Sequence, residues 1–246
     1  MDPDRFTNIV ELVDPSGEPH IEIARRAKTT GRRLGVFASS FNPPTTAHVE
    51  LIQRASNAFA LDEVLALAGR ANADKLDYEC SLEERLTMLT LAFAGQPRVS
   101  IGLSSHAFYV DMIDALAHRY PGETDLHFIV GFDTFERVLD VGDRYTSRYY
   151  REFGGRREAL EHLFARSRFI VAGRAGSGLQ SVRLLVGNEP AIPLDRVLYL
   201  DFPADLGELS ATEVRARRSE GRSITGLVPA PVDEYISGRG LYAPRG

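Results

Sequence analysis

The chain has 246 residues, 43% of them hydrophobic and 26% charged, with a formal net charge of −5, which suits one soluble domain with a substantial core. This acidic balance argues against general binding to nucleic acid or to anionic membranes, because both attract a basic excess, so any phosphate site has to be local. The sequence contains neither an apolar stretch of about 20 residues nor a signal-like N-terminus, and its single cysteine, Cys80, cannot form an internal disulfide. We therefore expect a cytoplasmic protein.

Residues 1–30 precede the first predicted core strand. They are mostly polar and contain Pro3, Pro15 and Pro19. We interpret them as an N-terminal extension that either packs on the main domain or lies loose, with the main domain covering residues 31–246.

Apolar runs rich in β-branched residues alternate with amphipathic segments along the rest of the chain. The predicted strands are residues 34–38, 64–68, 99–103, 126–130, 169–171 and 197–200. Strands separated by helices usually form a parallel sheet with right-handed crossovers, so we expect an α/β fold with a doubly wound, Rossmann-like sheet. Ligands of such sheets bind beyond the carboxyl ends of the strands.

Three helices are predicted from apolar residues at helical spacing. The first carries His48, Leu51, Ile52, Ala55 and Phe59; the second carries Leu82, Leu86, Leu89 and Phe93; the third carries Val110, Ile113 and Leu116. Ser81 and Glu84 predict a capping box at the start of the second helix, and Pro121-Gly122 ends the third.

The stretch GVFASSFNPPTTAHVEL, residues 35–51, places small and turn-forming residues between a predicted strand and a predicted helix. Small residues let the backbone pass close to a ligand, and Pro43 and Pro44 fix the direction of the chain before the helix begins. His48 falls in the first helical turn, where unsatisfied N–H groups and the positive end of the helix dipole favour an anion. This pattern suits phosphate, although a histidine at a helix start is also typical of a surface or capping residue.

A second helix start lies in ELSATEVRARRSEGRSI, near the other end of the chain. Ser210 precedes a helical run and Glu213 follows three residues later, which predicts a capping box with Thr212 inside the first turn. Arg215 follows on the face of that turn and can hold a phosphate through two parallel hydrogen bonds. The alternative interpretation is a well-capped surface helix with a basic exposed face.

Together these segments resemble the HxGH-motif nucleotidyltransferase superfamily. SSFNPPTTAH is similar to its G-x-F-D-P-x-H/T-x-G-H motif, and LSATEVR is similar to its I-S-S-T-x-x-R motif. Three further segments resemble family segments in the same order: ADKLDYECSLEERLTMLTLA, FIVGFDTFERV and FIVAGRAG. The ending GRSITGLVPAPVDEYISGRGLY is similar to that of nicotinate or nicotinamide mononucleotide adenylyltransferases in particular. The resemblance implies that residues 31–246 form the nucleotidyltransferase domain, with a small C-terminal helical segment.

The resemblance implies a role for individual residues. Those implied to bind ATP are Phe41, Thr45, His48, Gly131, Asp133, Arg174, Ser210, Thr212 and Arg215. Those implied to contact the mononucleotide are Ser39, Ser40, Phe41, Lys75 and Tyr145. The residues implied to be catalytic are His48, Lys75 and Arg215, which would stabilise charge on the phosphates.

The implied reaction is direct displacement at phosphorus, in which the phosphate of nicotinamide or nicotinate mononucleotide attacks the α-phosphorus of ATP and pyrophosphate leaves. Mg²⁺, bound through the ATP phosphates, is the implied cofactor. ATP and a pyridine mononucleotide are the implied partners, whereas nucleic acid and membranes are not.

Several positions depart from the family pattern. Asn42 stands where aspartate is usual, and Ala47 replaces a glycine. Tryptophan, which in this family often stacks on the pyridine ring, is absent from the sequence. Tyr145, Tyr149 or Tyr150 could replace it if residues 140–156 form a flap rather than an ordinary connection. Two alternatives stay open at this point: a related enzyme with another acceptor, of the cytidylyl or phosphopantetheine type, and a nucleotide-binding regulator without turnover.

Overall fold

A computed structural model describes residues 1–70, 80–140, 153–173 and 178–244. Seven strands in these parts of the chain form one sheet with the order β1-β4-β3-β2-β5-β6-β7. The strands are β1 (Ile21–Arg25), β2 (Arg33–Ser39), β3 (Glu63–Gly69), β4 (Val99–Ser104), β5 (Asp125–Gly131), β6 (Arg168–Ala172) and β7 (Val197–Leu200). All neighbouring strands run parallel except β1, which pairs antiparallel with β4.

The sheet is doubly wound, as the alternation of strands and helices predicted. From β2 the chain moves outward through β3 and β4, then returns to place β5, β6 and β7 on the other side of β2. The direction of winding therefore reverses between β2 and β5, and open α/β sheets bind ligands in the crevice at the carboxyl ends of the strands at such a point. All six predicted strands are confirmed, with boundaries within two residues.

Helices cover both faces of the sheet. They are α1 (Thr7–Leu12), α2 (Thr46–Ala58), α3 (Leu82–Ala92), α4 (Tyr109–Ala117), α5 (Phe132–Leu139), α6 (Arg156–Arg166), α7 (Leu179–Gly187), α8 (Ala204–Glu208), α9 (Ala211–Ser219) and α10 (Ala230–Arg239). One apolar core joins the sheet to α2, α3 and α10, and a second joins its other face to α4, α5, α6 and α7. Within the described ranges, none of these helices has the length and hydrophobicity that a membrane span requires.

The predicted helices are present as α2, α3 and α4. The capping box at the start of α3 is confirmed: the Glu84 N–H donates to Ser81 Oγ at 3.2 Å, and the Ser81 N–H donates to Glu84 Oε2 at 3.1 Å. The short helices α8, α9 and α10 form the small C-terminal helical segment that the family resemblance implied.

Strand β1 lies inside the segment interpreted as an extension, and the sequence analysis did not predict it. Its residues pair with β4 from Ile21 opposite Ser104 onward, and the Arg25 guanidinium donates to the carbonyl of Val99 at 3.0 Å. Phe6 and Val13 are 1% and 0% exposed and belong to the core that contains α3. This segment therefore packs on the domain, while the division of the chain at residues 30 and 31 stays a prediction.

Candidate active site

The loop that follows β2 lies at the carboxyl end of a central strand, beside the point where the sheet reverses its winding. Ser39 ends β2, Ser40 follows, and Phe41 has a φ of 45°. A bulky residue in this left-handed region costs on the order of 1–3 kcal/mol and persists only where its surroundings fix it. The peptide bond between Asn42 and Pro43 is cis.

Phe41 supports this loop from below. The residue is fully buried, and its ring packs edge-on against Phe37, with 5.6 Å between centroids, and against the His48 imidazole, with 5.2 Å. In this structure Phe41 therefore contacts core side chains, and its implied contact with nucleotide stays a prediction.

Helix α2 begins directly after the loop with a reciprocal cap between Thr45 and His48. The Thr45 N–H donates to His48 Nδ1 at 2.9 Å, and the His48 N–H donates to Thr45 Oγ1 at 3.4 Å. Since Nδ1 accepts a hydrogen bond, the proton of the neutral ring is on Nε2. Burial lowers the pKa of His48 to about 4, so near pH 7 its imidazole is a neutral donor through Nε2.

Helix α9 begins with Ser210, whose Oγ accepts the N–H of Glu213 at 3.1 Å. The predicted capping box is wrong in its second half, because the Glu213 carboxylate accepts from Arg217 Nε at 2.6 Å instead of returning to the Ser210 N–H. An ion pair between residues four apart on the helix has replaced the second capping contact. Ser210 and Thr212 are exposed, which agrees with the interpretation of α9 as a surface helix.

The two helix starts converge, although they are far apart in the sequence. Arg215 Nη1 donates to the carbonyl oxygen of Asn42 at 2.6 Å, and its Nη2 donates to Thr212 Oγ1 at 3.3 Å. The Arg215 guanidinium therefore lies against the loop that leads into the cap of His48. Thr46, the first residue of α2, is in turn held by the C-terminal segment, since its N–H donates to the carbonyl of Leu227 at 3.0 Å.

Two other predicted site residues follow β5, the strand beside β2. Gly131 is the last residue of β5 and the N-cap of α5, and Asp133 lies exposed in the first turn of that helix. Both are thus at the carboxyl ends of the strands. The predicted residues Lys75, Tyr145 and Arg174 lie outside the described residues, as do residues 141–152 of the proposed flap.

The structure adds a buried layer beneath the loop that the sequence analysis did not assign. The Arg85 side chain is fully buried on α3, where its Nε donates to the carbonyl of Ser40 at 2.7 Å and its Nη2 donates to the carbonyl of Gly69 at 2.8 Å. It thereby joins the loop after β2 to the end of β3. Asn42 Oδ1 accepts from Cys80 Sγ at 3.0 Å and from the Tyr242 hydroxyl at 2.5 Å. Arg85 and Tyr242 do occur in the segments that carry the family resemblance, which was the available signal.

Comparison with known proteins identifies the family of this chain. A family model described as cytidylyltransferase-like matches residues 36–217, most of the chain, and the chain belongs to that family. The predicted nucleotidyltransferase superfamily is thereby confirmed.

Curated relatives and a solved structure agree with this result. A protein of Gemmatimonas aurantiaca named probable nicotinate-nucleotide adenylyltransferase is 31% identical over 238 residues, which cover 87% of this chain and 95% of that protein. A protein of the same name from Salinibacter ruber is 31% identical and covers 86% of this chain and 98% of its own. The solved structure of Plasmodium falciparum nicotinic acid mononucleotide adenylyltransferase complexed with NaAD superposes with a TM-score of 0.64 at 18% identity, covering 86% of this chain and 98% of that one. This likeness confirms the fold.

Proposed function

We propose that this protein is an adenylyltransferase that joins ATP to nicotinate mononucleotide, forming the deamido form of NAD and pyrophosphate. The observation that carries the proposal is the hydrogen bond of 2.6 Å between Arg215 Nη1 and the carbonyl of Asn42, because it places both implied phosphate-binding helix starts at one loop. Two relatives with 31% identity over nearly their whole length bear the name of this activity, which supports it further.

The sequence leaves the choice between the acid and the amide mononucleotide open. We assign the acid because two relatives that are each 31% identical to this chain carry the nicotinate name. The two pyridine groups differ in one substituent, so the selectivity depends on a small number of contacts.

The reaction needs no protein nucleophile. An anionic phosphate oxygen of the mononucleotide forms a bond to the α-phosphorus of ATP, and the bond from that phosphorus to the bridging oxygen of pyrophosphate breaks. The protein then has to hold two anions in line and to stabilise the charge that develops on the phosphate oxygens. His48 can donate from Nε2 without carrying a charge of its own, and Arg215 supplies a permanent positive charge close to the same loop.

The N-termini of α2 and α9 add N–H groups and the positive ends of two helix dipoles. The hydroxyl groups of Ser210 and Thr212 provide further polar contacts at the start of α9. By the family resemblance, Lys75 and Arg174 would add two cations.

The residues present fit a Mg²⁺ ion that is bound through the phosphates of ATP. The described part of the chain contains no group of three or more His, Cys, Asp or Glu side chains able to hold a metal ion. Mg²⁺ usually keeps several waters and binds through substrate phosphates with few protein ligands. When bound, it would neutralise charge on the triphosphate, and the hydroxyl of Thr212, which lies beside Arg215, is a described group that could contact its hydration shell.

One assay tests this function. Purified protein and Mg²⁺ are incubated with ATP plus one acceptor at a time: nicotinate mononucleotide, nicotinamide mononucleotide or phosphopantetheine. A further reaction contains CTP plus glycerol phosphate. Pyrophosphate release is followed in each reaction, and the product is identified. We expect release with ATP and the pyridine mononucleotides, with the higher kcat/KM for the acid. Binding of ATP without pyrophosphate release from any pair would contradict the proposal.

A further inference from the structure

The loop Ser40 to Asn42 is held by donors from three separate parts of the chain. Its backbone carbonyls accept from Arg85, on α3, and from Arg215, on α9. The side-chain oxygen of Asn42, Oδ1, accepts from the hydroxyl of Tyr242, which follows α10. We infer that Tyr242 is a positioning residue, which sets the loop for mononucleotide binding through its hydrogen bond to Asn42; this inference rests on the proposed function.

The contacts of Tyr242 form a closed triangle of side chains. Its hydroxyl lies 2.5 Å from Asn42 Oδ1 and 3.0 Å from Cys80 Sγ, and Cys80 Sγ lies 3.0 Å from the same Oδ1. The three residues are 8%, 4% and 8% exposed, so water competes poorly for these bonds. A buried amide oxygen with two donors has a fixed orientation.

Both donors of the triangle keep their protons near neutral pH. Burial raises the pKa of the Cys80 thiol to about 11, and burial is also the main cause that raises the pKa of the Tyr242 hydroxyl. Of the two, the hydroxyl is the stronger donor, since a thiol donates only weakly. Tyr242 therefore contributes more than Cys80 to fixing the orientation of the Asn42 side chain.

Because of the position of Asn42, its hydrogen bond with Tyr242 affects the loop that is proposed to bind the ligand. Its neighbour Phe41 is in the left-handed backbone region, which requires support from the surroundings, and its own carbonyl receives Arg215. If the Asn42 side chain is released, the preceding residues can relax toward ordinary backbone angles. Such a relaxation would displace Ser40, which the family resemblance assigns to the mononucleotide, and misplacing a binding group by a fraction of an ångström lowers the rate.

The test compares Tyr242→Phe with wild type in steady-state kinetics for both substrates. The substitution keeps the ring and removes only the hydroxyl, and we expect the KM for nicotinate mononucleotide to rise about tenfold while the KM for ATP changes less. A merely structural role would lower the fraction of active protein, which reduces the apparent kcat and leaves both KM values unchanged. Unchanged KM values would therefore overturn the inference.

Tyr235→Phe is the matched control. Tyr235 is also buried, on α10, and its hydroxyl makes no hydrogen bond to the loop within the described part of the chain. We expect wild-type KM values for this variant. An equal rise in both variants would show a general effect of losing a buried hydroxyl and would overturn the assignment to Tyr242.

Substitutions of Asn42 test whether Tyr242 acts through it. Asn42→Asp keeps an oxygen that accepts from Tyr242 and Cys80, so we expect it to retain a KM near that of wild type. Asn42→Ala removes the acceptor, and adding Tyr242→Phe in that background should then raise the KM by no further factor. Independent, multiplicative effects of the two substitutions would overturn the inference.

The same variants separate this inference from the proposed function. If wild-type protein turns over no acceptor, the proposed function fails, and the inference is decided by calorimetric binding of nicotinate mononucleotide. A dissociation constant about tenfold higher in Tyr242→Phe than in Tyr235→Phe would support it. Equal dissociation constants, or the absence of binding to the wild type, would overturn it.

Discussion

The N-termini of α2 and α9 use the same local chemistry in opposite surroundings. Both begin with a hydroxyl residue that accepts the N–H three residues later, Thr45 in α2 and Ser210 in α9. Thr45 is fully buried and its partner His48 returns the contact, whereas Ser210 is exposed and Glu213 turns away to Arg217. The first start is part of the core, and the second is a surface helix that extends one long side chain, Arg215, to it.

If both helix starts bind phosphate as proposed, they do so in two different ways. At α2 the groups proposed to bind phosphate also stabilise the fold, because Thr45 and His48 cap the helix, so their orientation is fixed before any ligand arrives. At α9 the proposed binding group, the Arg215 guanidinium, contacts the loop through its own hydrogen bonds and lies outside the helix cap. Substitutions at α2 should therefore affect stability and turnover together, whereas substitutions at α9 should affect turnover with a much smaller effect on stability.

The largest expected effect is that of His48→Ala. Removing one positioned donor to the phosphates should lower kcat about a hundredfold, corresponding to roughly 3 kcal/mol of transition-state stabilisation. It should also lower the free energy of unfolding by about 1 kcal/mol, because the Thr45 N–H loses its acceptor. Steady-state kinetics and urea denaturation measure the two effects.

His48→Gln is the control that separates them. Glutamine at the third helical position can accept the N-cap N–H in a capping box, so stability should return toward wild type while kcat stays low. Wild-type turnover in His48→Ala would remove His48 from the catalytic residues.

The next effect compares the two caps directly. Thr45→Ala should lower the free energy of unfolding by about 2 kcal/mol, because it removes a fully buried cap and leaves the His48 N–H without its partner, whereas Ser210→Ala should cost only about 0.5 kcal/mol at an exposed helix start. Chemical denaturation of both variants measures these costs. Equal costs would mean that the surroundings of the two starts do not differ in the way described above.

Arg215→Lys should lower kcat/KM about tenfold with the melting temperature close to that of wild type, because lysine carries the charge but cannot make paired hydrogen bonds from a planar group. Arg217→Lys, on the same helix, is the matched control: Arg217 pairs with Glu213 at its surface, and we expect wild-type kinetics. A similar loss in both variants would point to the general charge of α9 instead of the position of Arg215.

The smallest effect concerns pH. His48 has a pKa of about 4 in the folded protein against 6.5 for a free imidazole, so the unfolded chain takes up the proton more readily. The stability that depends on neutral His48 is thus complete above about pH 6.5 and is lost as the pH falls toward 4. Between pH 8 and pH 6 the free energy of unfolding of the wild type should fall by about 0.8 kcal/mol more than that of His48→Gln, as measured by urea denaturation. A parallel pH dependence in the two proteins would contradict the burial of the imidazole.

Most of the sheet could be predicted because its central strands are buried on both faces and read as continuous apolar runs. Strand β1 could not, since its five residues follow a polar segment with several prolines, and its place is set by pairing with β4. The pairing partner is about 80 residues away, so local sequence carries little of this information.

The two helix starts of the candidate site could be predicted for a similar reason, because capping is local and leaves a pattern within four residues. The support beneath the loop could not. Asn42 meets Cys80 across 38 residues and Tyr242 across 200, and only folding brings them together. The error at Glu213 was avoidable, since Arg217 follows it at the spacing of a helical ion pair.

Strand β1 has a consequence for handling the protein. It pairs with the backbone groups of β4 from Ile101 to Ser104, and without β1 the strand β4 would be an exposed edge strand of the sheet. Exposed edge strands can pair with strands of other molecules, which leads to aggregation. Shortened versions that begin after residue 30 would uncover this apolar strand, so the full N-terminal segment should be retained when the protein is produced for the experiments above.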